Sequence, residues 1–194
     1  MAIKALGKIN GRLAFLYRKQ SFLNYSLRRL LCNALIQPHF DYACSVWYPT
    51  LNSRLSKKIQ TAQNKCIRFC LGMKNTTHLS AKEFLKINWL PTKKRVEQTF
   101  CGNVYKFFEG NFPVYFCEMF RHTTEIRITR RSKYSLVVPF RKSSIGQKCS
   151  SYMCPKLWND LPPEIKTASS INSFKHKIKS CYMQNLSKNK NMFV

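Results

Sequence analysis

Carboxylates are the first residues to weigh, because metal-dependent nucleotidyl transfer needs them clustered. Acidic ligands hold two ions about 4 Å apart, and the ions clamp the attacking and leaving oxygens. This chain has eight Asp and Glu among 194 residues. The two aspartates, Asp41 and Asp160, are far apart in sequence, and the glutamates are scattered. No Asp-Asp pair exists. A two-metal polymerase or nuclease centre is therefore not expected, and no cofactor is implied.

Cysteine and histidine are the next candidates. Cys66 and Cys70 with His78, completed by Cys149 or Cys154, can be drawn as a zinc set. Yet the nine cysteines include no Cys-x2-Cys pair and no spacing of a zinc knuckle. Cys66 and Cys70 are one helical turn apart beside an apolar stripe, which favours buried core thiols. No histidine is marked as the base of a nucleophilic cysteine. Metal ligands and catalytic residues are both expected to be absent.

The basic residues carry more information. Thirty-four Lys and Arg oppose the eight acids, a formal charge of +26 and a pI near 10.1. Such an excess repels itself unless a polyanion is near, so phosphate backbone is the first partner to consider. Three clusters stand out: Arg54, Lys57, Lys58, Lys65 and Arg68 on one helical stretch; Lys93, Lys94 and Arg95 at a helix start; and Arg127, Arg130, Arg131 and Lys133. A solvated helix face ordinarily mixes signs to gain i,i+4 pairs. Acidic partners are nearly absent around these clusters, so contact with RNA, DNA or an RNA–DNA hybrid is expected. Charge alone gives backbone binding without a base code. Trp47, Trp89 and Trp158 sit in apolar patterns and are expected in the core rather than stacked on bases.

Composition sets the frame for these residues. Hydrophobic residues make up 44% and aromatics 13%, the balance of a globular chain. No apolar run reaches the roughly 20 residues that would span a bilayer, and Lys4, Lys8 and Arg12 interrupt any leader-like segment. Reduced thiols fit a nuclear or cytoplasmic location better than secretion.

The elements that must position the clusters are mostly helices. Ile3, Leu6, Ile9, Leu13 and Leu16 recur at helical spacing over the first twenty residues, with Lys4, Lys8 and Arg12 on another face. No capping residue precedes them, as expected of a protein that continues upstream. A helix is expected from about Asn24 to Ile36, with Leu27, Leu31 and Ala34 inward and Pro38 ending it. A short helical segment should follow from Pro38 to Trp47. Thr50 or Asn52 can cap the clearest helix, Ser53–Leu71, whose apolar line is Leu55, Ile59, Ala62, Cys66 and Phe69, with Gly72 as its stop. Ser80 and Glu83 spell a capping box for a helix through Ile87. Pro91 opens another helix, carrying Val96, Phe100, Val104 and Phe107 and ending near Gly110. Residues 121–133 read as a basic linker, Tyr134–Phe140 as a short strand, and the segment after Ser170 as a helix burying Ile171, Phe174, Ile178 and Cys181. The tail from Ser187 is polar.

Three stretches carry a resemblance. Leu31 to Tyr48, LCNALIQPHFDYACSVWY, resembles the helix–Pro–aromatic segment that follows the polymerase palm in LINE-type (non-LTR) retrotransposon reverse transcriptases. Ile59 to Leu71, IQTAQNKCIRFCL, resembles the companion Q–x–x–x–x–R helix. Ser132 to Ser180 resembles the C-terminal pattern of jockey-related elements, with Gly146-Gln147, Pro155-Lys156-Leu157-Trp158-Asn159 and Leu161-Pro162-Pro163-Glu164-Ile165 as its distinctive words. The resemblance runs from about Leu13 to Tyr182.

It implies origin in an RNA-directed DNA polymerase, with template-primer gripping as the role of this part and the palm of the same polyprotein as a partner. The palm aspartates, an endonuclease domain and a Cys/His knuckle have no counterpart in these residues, so the chain is not expected to act as an enzyme. The expected fold is mainly α: a helical thumb-like bundle over 1–120, a basic linker over 121–133, a small α+β region over 134–186, and a frayed tail over 187–194. A translated retroelement remnant without function and an unrelated structural RNA-binding protein are the rival readings. An in-frame Tyr-x-Asp-Asp block upstream would separate the first reading from both.

Overall fold

The computed structural model describes residues 2–123 and 134–188. Eleven α-helices occur among them: α1 (Ala2–Arg18), α2 (Tyr25–Leu31), α3 (Gln37–Asp41), α4 (Cys44–Trp47), α5 (Ser53–Leu71), α6 (Ala81–Ile87), α7 (Thr92–Phe108), α8 (Val114–Cys117), α9 (Ser150–Asn159), α10 (Pro163–Lys166) and α11 (Ile171–Lys188). The protein is mainly α, as its periodicities predict. Contacts group into two units, residues 1–95 with 182–194 and residues 96–181. The division falls inside α7 and α11, and so differs from the halves that texture suggests near residue 120.

Local chemistry sets the helix ends. Asn24 Oδ1 accepts from the Leu27 amide at 2.9 Å, and Asn52 Oδ1 from the Leu55 amide at 2.8 Å, so Asn52 rather than Thr50 caps α5. Ser80 and Glu83 form the capping box, the Ser80 amide donating to Glu83 Oε2 at 2.6 Å. Gly72 ends α5 at φ 67°, and the Met73 amide closes onto Arg68 O at 2.9 Å.

In the first unit, α1 and α2 pack on α5, and α1 also meets α3. Ile9, Leu13 and Leu16 meet a core that includes Ile36, Phe40, Ile59, Cys66, Ile67 and Phe69, all buried. Pro38 does not end the second helix. A π-turn at Cys32–Ile36 takes up the change, the Gln37 amide reaching back to Cys32 O, and Pro38 falls in the first turn of α3 where its missing N–H costs nothing. This corrects the inward face: Leu27 and Ala34 are exposed, while Cys32 and Ile36 are buried. Ile3 is likewise exposed at 71%.

The second unit centres on Trp158, fully buried and stacked on Phe108 at 5.2 Å. Tyr105 stacks on Phe174 at 4.7 Å and donates its hydroxyl to Ala168 O at 2.8 Å. The strand expected at Tyr134–Phe140 is reduced to one antiparallel bridge, His122 with Leu136. The far edge of Leu136 is satisfied by a side chain instead: its amide donates to Asn159 Oδ1 at 3.0 Å, and Asn159 Nδ2 donates to its carbonyl at 2.7 Å. An amide side chain can mimic a backbone partner but cannot extend a ladder.

Candidate nucleic-acid interface

Helix α5 forms because Asn52 starts it, Gly72 stops it, and nineteen residues free of Pro, Gly and acids run between them. At 100° per residue, Arg54, Lys57, Lys58 and Lys65 fall within about 100° of arc. All four are exposed, and the helix carries no carboxylate to pair with them. Ile59, Ala62, Cys66 and Cys70 take the opposite arc into the core. The stripe is cationic across roughly three turns.

Arg68 departs from the stripe's role. It is half-buried, and its Nε donates to Thr77 O at 2.8 Å, tying α5 to the turn before α6. Gln63, fully buried, donates to Leu90 O at 2.8 Å and accepts from Gln60 Nε2 at 2.9 Å and Thr92 Oγ1 at 3.1 Å. The Thr92 amide donates to Gln60 Oε1 at 3.0 Å. Both named positions of the Q–x–x–x–x–R pattern therefore fasten backbone.

Those bonds hold the start of α7 against the Gln60–Gln63 flank of α5, on the far side from the cationic arc. The second cluster accordingly does not extend the first. Lys93 is exposed. Lys94 Nζ lies 5.0 Å from the centre of the Tyr182 ring, a cation–π contact. Arg95 makes a two-pronged ion pair with Asp41. The third cluster, Arg127, Arg130, Arg131 and Lys133, lies outside the described residues.

Of the other candidates, the three tryptophans are buried: Trp47 at 7%, Trp89 at 5% and Trp158 at 0% exposure. Cys66 and Cys70 are buried, and burial pushes the Cys66 thiol far above its ordinary range. Among the described residues no group of three metal-ligating side chains converges. Sequence reasoning missed the cations of α1 as site residues. Lys4, Lys8 and Arg12 are exposed and recur every fourth residue, a like-charge spacing that costs helix stability and was the available signal.

No protein family, curated protein or solved structure matches the chain. Among the described residues no helix is long and apolar enough to cross a membrane.

Proposed function

We propose that this chain is a nucleic-acid-binding part of a non-LTR retrotransposon reverse transcriptase, gripping template-primer for a palm it does not itself contain. The observation that carries this is the exposed Arg54, Lys57, Lys58 and Lys65 stripe on a helix without acids. A rigid row of cations about 6 Å apart along a helix follows a phosphate backbone without reading bases. The resemblance supplies the polymerase context, and the net charge of +26 supports a polyanionic partner.

The proposed role is binding rather than catalysis, because the few, scattered carboxylates of the sequence offer no cluster to hold two metal ions. Asp41 is occupied by Arg95. Purified protein should show no DNA synthesis on a primed RNA template with Mg²⁺ or Mn²⁺. Incorporation above background that Asp41→Asn abolishes would overturn this.

A salt titration on an RNA–DNA hybrid and on unrelated duplexes tests the binding reading. Each neutralised phosphate contributes about 0.7 to 0.9 to the slope of log affinity against log salt. The α5 stripe of four cations should give a slope of roughly −3 to −4, similar for every sequence. Absence of binding at low salt would defeat the proposal and leave a translated remnant as the better reading.

A further inference from the structure

The first unit contains a cleft of about 450 Å³ that the α5 stripe does not account for. One wall is the α3–α4 corner, which supplies Pro38, His39, Tyr42 and Trp47; the other is α1, which supplies Lys4 and Lys8. The corner exists because Ala43 adopts the left-handed region at φ 48°, uncommon for a residue with a Cβ. Trp47 anchors it by donating Nε1 to Tyr42 O at 2.7 Å, so its indole nitrogen is satisfied and its ring presents an apolar wall. Tyr42, in contrast, is 72% exposed, its ring free to stack.

Two features of this cleft ask for a ligand of one kind, and a third, His39, lies beside them. Lys4 and Lys8 are exposed cations one turn apart, and no carboxylate lines the cleft. The floor is aromatic and apolar. His39 Nε2 is buried without a hydrogen-bond partner, a group whose desolvation is uncompensated as the protein stands. Burial, reinforced by Arg12 and Lys8, also lowers the His39 pKa, so the ring is neutral at pH 7. Anion and flat apolar face together describe a nucleotide. The volume lies within the 300–1,000 Å³ usual for small-ligand sites. An acidic peptide would satisfy the lysines but leave the flat, exposed Tyr42 ring without a specific purpose.

Resting on the nucleic-acid reading, we infer that this cleft captures one unpaired nucleotide at the end of a bound strand, its base on Tyr42 against the Trp47 and Pro38 wall and its phosphates on Lys4 and Lys8. The chain then has two separate contacts: a backbone stripe on α5 and an end-recognition cleft between α1 and the α3–α4 corner.

The test compares three fluorescently labelled RNA–DNA hybrids of equal duplex length: blunt, with a short single-stranded overhang, and with the same overhang made abasic. Wild type should prefer the overhang by about tenfold, the range that base–aromatic stacking supplies. The abasic overhang should lose most of that preference while retaining its phosphates. Tyr42→Ala should abolish the preference and leave blunt-hybrid affinity within twofold; Tyr42→Phe should retain it. Lys4→Gln with Lys8→Gln should reduce overhang binding and shallow only its salt slope. Thermal melts of the variants confirm that the exposed ring is not needed for folding. Equal wild-type affinity for blunt and overhung hybrids overturns the cleft while leaving the α5 reading intact. Tyr42→Ala weakening all three alike does the same. Displacement of the overhang by polyglutamate as readily as by a single-stranded oligonucleotide assigns the cleft to a peptide and also overturns it. Failure to bind any hybrid overturns both.

Discussion

Asp41 Oδ2 accepts from Arg95 Nη2 at 2.6 Å, and its second oxygen accepts from Arg95 Nε, so the C-terminal end of α3 and the first turn of α7 are joined by a bidentate pair. A cation in the first turn of a helix opposes the macrodipole, and the carboxylate offsets it. Among the cations of the second basic cluster, Arg95 is thereby committed to the fold, whereas Lys93 is exposed. The side chains are 29% and 43% exposed, so the pair contributes no more than about 1 kcal/mol.

Arg95→Gln should therefore change the salt slope of nucleic-acid binding by less than about 0.3, and Lys93→Gln, on the flank of α5 away from the stripe, should change it as little. Asp41→Asn, which frees the guanidinium on that same flank, should leave the slope equally unchanged. Titrations of the three variants on one hybrid check this. A full unit lost with Arg95→Gln would return that arginine to the phosphate surface.

On α5 the contrast is between stripe and fastener. Replacing Arg54, Lys58 and Lys65 by Gln should shallow the slope by about 2 and weaken all sequences alike, with little change in melting temperature. Arg68→Gln should behave differently. It removes the bond to Thr77 O from a half-buried position, costing about 1 to 2 kcal/mol in urea unfolding with little effect on the slope. Equal slopes for wild type and the triple variant would take α5 off the binding surface.

What the sequence made legible, and what it did not, follows from the range of each interaction. The starts at Asn24, Asn52 and Ser80 could be read because a cap and its amide are three residues apart or fewer. The cationic arc could be read because helical periodicity is local as well. Passage through Pro38 could not: a π-turn shifts the inward face by one position, and only the packing of Cys32 and Ile36 requires it. The fate of Arg95 depends on Asp41, 54 positions away. The Tyr134–Phe140 segment has strand composition, yet its second partner is the Asn159 amide, which no strand rule anticipates. The cleft was equally hidden, since α1 and the α3–α4 corner each look unremarkable alone.

Trp158 should be the most sensitive single position of the second unit. Its ring is fully buried, stacks on Phe108, and donates Nε1 to Tyr134 O at 2.7 Å. Trp158→Ala leaves both a cavity and an unpaired carbonyl, and should cost about 3 to 5 kcal/mol. Trp158→Phe should recover part of this but not the hydrogen bond. A loss under about 1 kcal/mol for the alanine variant would contradict the packing described.

His39 gives the last expectation, in pH. Burial lowers its pKa below the ordinary 6.5, with Arg12 and then Lys8 adding to the effect. The unfolded chain, with the ordinary value, takes up a proton at higher pH than the folded one. Between the two values the unfolded state therefore holds more protons, and stability rises with pH across that window. The contribution is fully present above about pH 7 and is lost as the pH falls through 6.5 toward the lowered folded value. His39→Gln removes this titration. Its urea midpoint should fall less than that of wild type between pH 7.5 and pH 5, values chosen about one unit or more either side of 6.5. Phosphate held on Lys8 would favour the imidazolium, so adding a hybrid with an overhang should narrow the wild-type difference. If His39→Gln loses as much stability as wild type on acidification, the histidine is not the group responsible, and its unpaired nitrogen is solvated in solution.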